Sequence, residues 1–234
     1  MNEDVRVAVV TGGHSFDVPN FHRLFRSLRG VDAYIQSLDD FASSSPSTRS
    51  DYDVVLFYIM QMATPVDEGL PWHHGRPLTA LSELGSTGQG IVVLHHALLA
   101  FPDWQPWSDI VGISDRRFGF HMGQTVRSLV RDDHPINRGL RPWTMGDETY
   151  TMADARDDSS ILISYDHPLS MKTIAWTRQY RSSPVFCYQA GHDNTTWSNA
   201  SFQDVLRRGI LWSTGRLEPE ALEETRKPAG EILH

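Results

Sequence analysis

Three stretches of this sequence place histidine just beyond a run of β-branched or aliphatic residues. Val5 to Val10 runs into Gly12-Gly13-His14-Ser15-Phe16, and Ile91 to Leu94 runs into His95-His96-Ala97. Val185 to Tyr188 is followed by Gly191-His192-Asp193. Imidazole titrates near neutral pH, so histidines gathered in one place can move protons or hold a metal. A single histidine at a strand end is more often a hydrogen-bonded structural residue. Three such ends in one chain point instead to a shared cleft. Two of them have glycine just before the histidine, which lets the backbone turn sharply and approach a ligand. Successive side chains of a strand point to opposite faces. Only one of His95 and His96 is therefore expected to enter the cleft, His96 in preference, while the other braces a loop.

The middle of the chain offers His121, His134-Pro135 and Asp147-Glu148-Thr149-Tyr150. His134 precedes proline, which biases it to extended geometry and a structural role. The two adjacent carboxylates sit beside Trp143 and Tyr150 rather than in a charge run, so one is expected to face the pocket. Trp104, Trp107, Trp176 and Trp197 lie in or next to these loops. Core packing is the ordinary use of tryptophan, but a large apolar face with one donor also suits a sugar ring. Arg178 either holds an anionic or polyhydroxyl group or makes a surface ion pair. The catalytic candidates are thus His14, His96, His121, Glu148 and His192. Phe16, His95, Trp104, Trp107, Asp147, Trp176, Arg178, Asp193 and Trp197 are the candidates for binding. These residues mark no particular cofactor. A divalent metal such as zinc is an alternative, since such sites assemble from scattered histidines and carboxylates, but no close-spaced ligand pair marks one.

The elements that must position these groups follow from the apolar pattern. Val5 to Val10, Ala33 to Gln36, Val54 to Tyr58 and Ile91 to Leu94 read as buried strands. Phe21 to Leu28 and the leucines after Pro77 have helical spacing. Ser43 to Ser47 reads as an exposed loop, and Phe101 to Asp158 as loops and short strands over the sheet edge. Ile161 to Ser164, Ile174 to Trp176 and Val185 to Tyr188 resume the strand pattern, and Phe202 to Trp212 is an amphipathic helix. This order predicts one α/β domain over residues 1–216 with a largely parallel central sheet, and a peripheral tail over 217–234. In such sheets ligands bind outside the carboxyl ends of the strands, where the histidines fall.

Composition narrows the function. The chain has 234 residues, 40% hydrophobic, with 29 acidic against 21 basic residues and a formal charge of −8. That balance argues against nucleic acid as a partner, and no apolar run is long enough for a membrane span. One cysteine, Cys187, excludes an intramolecular disulfide and a cysteine-rich zinc site. The N-terminus lacks the features of a secretory signal, so a cytoplasmic setting is expected. There is no GxxxxGK[ST] loop, GxGxxG turn, GxSxG elbow or HExxH pair.

Taken in order, Gly12-Gly13-His14-Ser15-Phe16, Val92 to Ala97, Asp133-His134-Pro135-Ile136, Asp147 to Tyr150, Ala175-Trp176-Thr177-Arg178 and Gly191-His192-Asp193 resemble the ThuA-like trehalose-utilisation family. The likeness runs from about Val5 to Gly215. It implies a flavodoxin-like three-layer α/β sandwich similar to class I glutamine amidotransferases. The amidotransferase nucleophile would be a cysteine at the strand-to-helix elbow, but Leu94-His95-His96-Ala97 occupies that stretch here, so the chemistry does not transfer. The turn Arg181-Ser182-Ser183-Pro184 departs from the family's glycine-rich form, which would alter specificity if that turn touches substrate. The resemblance implies catabolism of trehalose or a related glycoside, with a small sugar as partner and acid–base chemistry on a 3-keto sugar. The alternatives are a non-catalytic sugar-binding or regulatory protein and a metal-assisted glycoside hydrolase. An assembly of identical chains stays open.

Overall fold

The computed structural model describes residues 4–67, 75–131 and 134–217. The elements run β1 (Val5–Gly12), α1 (Val18–Ser27), β2 (Val31–Ser37), α2 (Leu38–Ser43), α3 (Pro46–Ser50), β3 (Val54–Ile59), α4 (Pro77–Ser82) and β4 (Gly90–Leu94). They continue with α5 (Gln105–Val111), β5 (Gly119–Val130), β6 (Thr144–Thr151), β7 (Ser160–Tyr165), β8 (Thr173–Tyr180), β9 (Ser183–Tyr188), α6 (Asn194–Trp197) and α7 (Ala200–Trp212). Short 3-10 turns occupy His95–Leu99 and Pro135–Asn137.

The strands form one sheet in the order β2-β1-β3-β4-β9-β8-β7-β5-β6. From β2 to β9 every neighbour is parallel. From β9 to β6 every neighbour is antiparallel. The expectation of a largely parallel sheet therefore holds for one half only, and the fold is a mixed α/β fold. The parallel half is legible because strands buried on both faces read as unbroken apolar runs, as in Val54–Ile59. In β5 exposed and less exposed side chains alternate over much of its length, so it shows no such run.

Two further expectations fail in the same region and beyond it. The middle segment, expected as loops and short strands over the sheet edge, instead contributes a 12-residue strand, β5, and an 8-residue strand, β6, to the sheet itself. The serine-rich stretch after Phe41 also contains structure, because Ser45 caps α3 by accepting a hydrogen bond from Thr48 N at 3.1 Å. Beyond Leu217 the tail lies outside the described residues.

Helices cover both faces of the sheet. Gly209 of α7 lies flat on the Phe186 ring, where a Cβ would collide with it. The next strand residue, Cys187, turns its Sγ toward the Val111 carbonyl at the end of α5. Neighbouring side chains on a strand face opposite ways, so α7 and α5 lie on opposite faces. Phe186 and Cys187 are both fully buried. Among the described residues no helix is long and apolar enough to cross a membrane.

Candidate active site

The parallel half brings the ends of β1, β3, β4 and β9 to one edge. At the end of β1, Gly13 has a φ of 76°, and a Cβ there would lie 2.6 Å from the Met60 backbone. Glycine is thus required for packing against the chain's own backbone, and this turn carries His14. The loop is clipped to the one after β9: Asp17 caps α1 and accepts from Asn194 Nδ2 at 2.9 Å.

At the end of β4 the chain turns at His95, whose φ of 53° lies in the left-handed region. Such strain in a non-glycine residue concentrates at functional sites. The strand stops there, so the alternation that would send His95 and His96 to opposite faces no longer applies. His95 is fully buried. Its Nδ1 lies 2.7 Å from the Gln189 carbonyl oxygen. A carbonyl only accepts, so Nδ1 carries the proton and, in the neutral ring, Nε2 keeps its lone pair.

The antiparallel half supplies the rest. Strand β6 meets the end of β9, where Gln189 Nε2 donates to the Glu148 carbonyl at 3.0 Å. Glu148 Oε2 then lies 3.1 Å from His95 Nε2 and 3.2 Å from His192 Nδ1, and those two nitrogens are 3.2 Å apart. Tyr150 comes two residues after Glu148 on the same strand face. Its hydroxyl is 2.8 Å from His95 Nε2 and 3.0 Å from Glu148 Oε2. Burial opposes charge on Glu148, but the hydrogen bond from His192 and the nearness of the imidazoles outweigh that and hold the carboxyl well below its ordinary range. Hydrogen bonding to Glu148 raises the His192 pKa against the effect of burial.

His14 and His96 stand beside this group. The His14 ring centroid is 4.6 Å from that of His96 and 6.1 Å from that of His192, and His14 is exposed. His96 is buried, and neither ring nitrogen has a hydrogen-bond partner. Burial, followed by the neighbouring histidines, pushes its pKa down to about 2. His14, His96, His192, Glu148 and His95 are thus brought together, with His95 rather than His96 bonded to the carboxylate.

The remaining sequence candidates lie elsewhere or are already occupied. His121 pairs with Thr149 across β5–β6 and so lies on the strand face opposite Tyr150 and Glu148, its Nε2 3.4 Å from Thr151 Oγ1. Asp147 is buried and accepts from the backbone N–H of Gly191, His192 and Glu148 and from the Thr196 hydroxyl. It anchors the loop carrying His192, and burial raises its pKa against those bonds. Asp193 is exposed and caps α6. Trp107, Trp176 and Trp197 are buried, each donating its indole N–H to a backbone carbonyl, that of Ala97, Val111 and Gly191 respectively. Trp104 is part-exposed and packs edge-on to Phe101, whereas Phe16 stays beside the site, part-exposed against Phe21 and Tyr58. Arg178 is buried under α5, bonded to the carbonyls of Asp109 and Ile110 and to Asp158. The Arg181–Pro184 turn precedes the body of β9, at the sheet edge opposite the histidines. His134 accepts from Ile136 N and packs on Trp212, the structural use expected of it.

Two further residues belong to the site without standing among the sequence candidates. Tyr58, next to last in β3, donates to the Gly191 and His192 carbonyls at 3.2 and 3.1 Å and packs edge-on to His96. Its position at a strand end is the signal that marks it. Phe120 opposes Tyr150 across β5–β6, so it shares that face, and is 62% exposed. A groove of about 340 Å³ bordered by Asn20, Arg23, Asn194 and Gln203 lies beside Trp197 and does not include the histidine cluster.

The geometry defines an α/β protein with a histidine–carboxylate group at the sheet edge and a histidine at the elbow. Its fold is shared with PurLQS from Thermotoga maritima, which superposes with a TM-score of 0.53, at 12% identity over 89% of this chain and 98% of that one. More similar are ThuA-like proteins from Parabacteroides merdae and Bacteroides uniformis. The first has a TM-score of 0.69 at 17% identity, covering 91% of this chain and 90% of that one. The second also has a TM-score of 0.69, at 16% identity over 90% of this chain and 93% of that one. The ThuA family model, described as trehalose utilisation, matches residues 18–213, and the chain belongs to that family. No curated protein matches it.

Proposed function

We propose that this protein performs acid–base chemistry on a 3-keto-glycoside, of trehalose or a related sugar, on a flavodoxin-like scaffold in the cytoplasm. The observation that carries this reading is the Glu148–His192 contact, 3.2 Å long, set between buried His95 and exposed His14. A ketone acidifies the neighbouring C–H, so the reaction needs a base at carbon and an acid at the carbonyl oxygen. Glu148, held ionised, keeps a proton on His192. The other ring nitrogen of that imidazolium donates toward the carbonyl oxygen, and His14 takes the proton from carbon. Tyr150 and Gln189 hold His95 in place, and Asp147 sets the backbone of His192. With Trp107, Trp176 and Trp197 buried, exposed Phe120, with Phe118 close to Tyr150, offers an aromatic surface for the sugar's C–H face.

Glutamine amidotransferase chemistry is not part of this reading. His95 occupies the elbow, and burial pushes the Cys187 thiol pKa up, away from its reactive form. The test is solvent deuterium exchange at the carbon beside the ketone, monitored by NMR with 3-keto-trehalose and related keto-glycosides. Exchange at that carbon, with no cysteine-dependent release of ammonia from glutamine, is the expected result. Absence of both exchange and product, with retained binding, would leave a sugar-binding protein instead.

A further inference from the structure

We propose that His95 Nε2, Glu148 Oε2 and His192 Nδ1 form a three-ligand site for a borderline divalent cation of the zinc type. The three atoms make a nearly equilateral triangle with edges of 3.1, 3.2 and 3.2 Å. A cation about 2.1 Å from each of three ligands, in tetrahedral or octahedral geometry, requires edges of about 3.0 to 3.4 Å. These side chains come from two loops of the parallel half and one strand of the antiparallel half, yet they meet at the spacing a metal demands. Among the described residues they are the one such group of histidine, cysteine or carboxylate side chains.

The surrounding bonds prepare the ligands. The Gln189 carbonyl holds the proton on His95 Nδ1, which leaves Nε2 as a lone-pair donor, the usual arrangement around a metal-bound histidine. Four donors hold Asp147, and through its bonds to Gly191 N and His192 N it anchors the loop that presents His192. Two imidazoles with one carboxylate suit zinc, iron or nickel better than calcium or magnesium, which prefer all-oxygen sites. A second observation is independent of the triangle. His96, buried and 5.3 Å from the His95 ring, has neither nitrogen bonded, an unused hydrogen-bonding capacity beside the site. A water or substrate oxygen on the cation's open positions would use it.

With the cation bound, the proton on His192 Nδ1 is released to solvent. The metal would supply polarisation of the substrate's carbonyl oxygen, leaving His14 as the proton acceptor. That role rests on the keto-glycoside reading; the site itself does not.

The experiment uses full-length protein without an affinity tag, stripped by chelator and titrated with Zn²⁺ and Co²⁺. Calorimetry should give one equivalent, and Co²⁺ should give visible d–d absorption. Glu148→Gln and His192→Ala should each weaken binding by about tenfold or more, while His121→Ala, on the far strand face, should bind as the parent does. Thermal melts of each variant separate ligand loss from misfolding, and Glu148→Gln keeps the side chain's size. No saturable equivalent, or parent-like binding by a folded Glu148→Gln variant, would overturn the site. Deuterium exchange, read separately on stripped and loaded protein, tests the chemistry. Metal binding without exchange would reject the keto-glycoside reading alone, whereas exchange by protein that binds no metal would reject the metal alone.

Discussion

The segment after β4 contains two buried polar regions that use their hydrogen-bonding capacity in opposite ways. Beneath its far end, Arg116 spends every nitrogen. Its Nε donates to Ser108 Oγ at 3.0 Å, and its two terminal nitrogens donate to the carbonyls of Leu98, Ala100, Phe101 and Pro102. Burial lowers its pKa to about 10, so it remains a cation at neutral pH, held by main-chain oxygens. At the near end, His95 shares one nitrogen among three partners and His96 bonds with neither. A polar group whose bonds are all made within the chain stabilises the fold. One whose bonds are shared or unmade, where it borders a cleft, keeps capacity for a ligand.

The largest effect expected from this contrast is on rate. Glu148→Gln should slow deuterium exchange by about 10²–10⁴, the usual contribution of an acid–base group, with little change in melting temperature. A large loss of stability with unchanged exchange would make the cluster structural and erase the contrast. Arg116→Met should do the reverse. Leaving four carbonyls without their donor should cost about 3 kcal/mol in denaturant unfolding, while the folded fraction keeps its exchange rate.

The third effect depends on pH. His96 is neutral when folded because its pKa is depressed from 6.5 to about 2. Below pH 6.5 the unfolded chain binds a proton that the folded chain refuses. The stability contribution is therefore complete above that pH and falls as the medium becomes more acid, by up to about 1.4 kcal/mol per unit. His96→Leu should flatten this acid limb when unfolding is measured from pH 7 to pH 4; an unchanged slope would place the proton uptake elsewhere. The smallest effect is expected at Trp176, whose N–H is spent on Val111. Trp176→Phe should leave sugar affinity unchanged by calorimetry, and a loss of affinity would restore tryptophan as a wall of the site.

Legibility in the sequence obeys the same division. The runs Val5–Val10, Val54–Tyr58 and Ile91–Leu94 announce the parallel half because burial on both faces leaves only apolar residues. Once the strand ends are known, the residues just beyond them include His14, His95, His96 and His192, and these do meet. The alternation rule does not separate His95 from His96, because it assumes a continuing strand and the chain turns at a φ of 53°. Trp107, Trp176 and Trp197 are near the site loops in sequence, but they are buried with their indole N–H groups spent on carbonyls. Trp176 sits on β8 with its ring against α5, where the indole fills the core and its one donor meets a carbonyl.

Residue type and local period were enough to mark the apolar strands, the histidines at their ends and the adjacency of Asp147 and Glu148. Which carboxylate meets which imidazole is a matter of long-range packing. Asp147 is consumed by the β9–α6 loop and Glu148 is left to His95 and His192, a partition set by strand β6 meeting the end of β9 across more than forty residues of chain. No local pattern encodes that meeting, because it depends on how the antiparallel hairpin packs against the parallel half of the sheet.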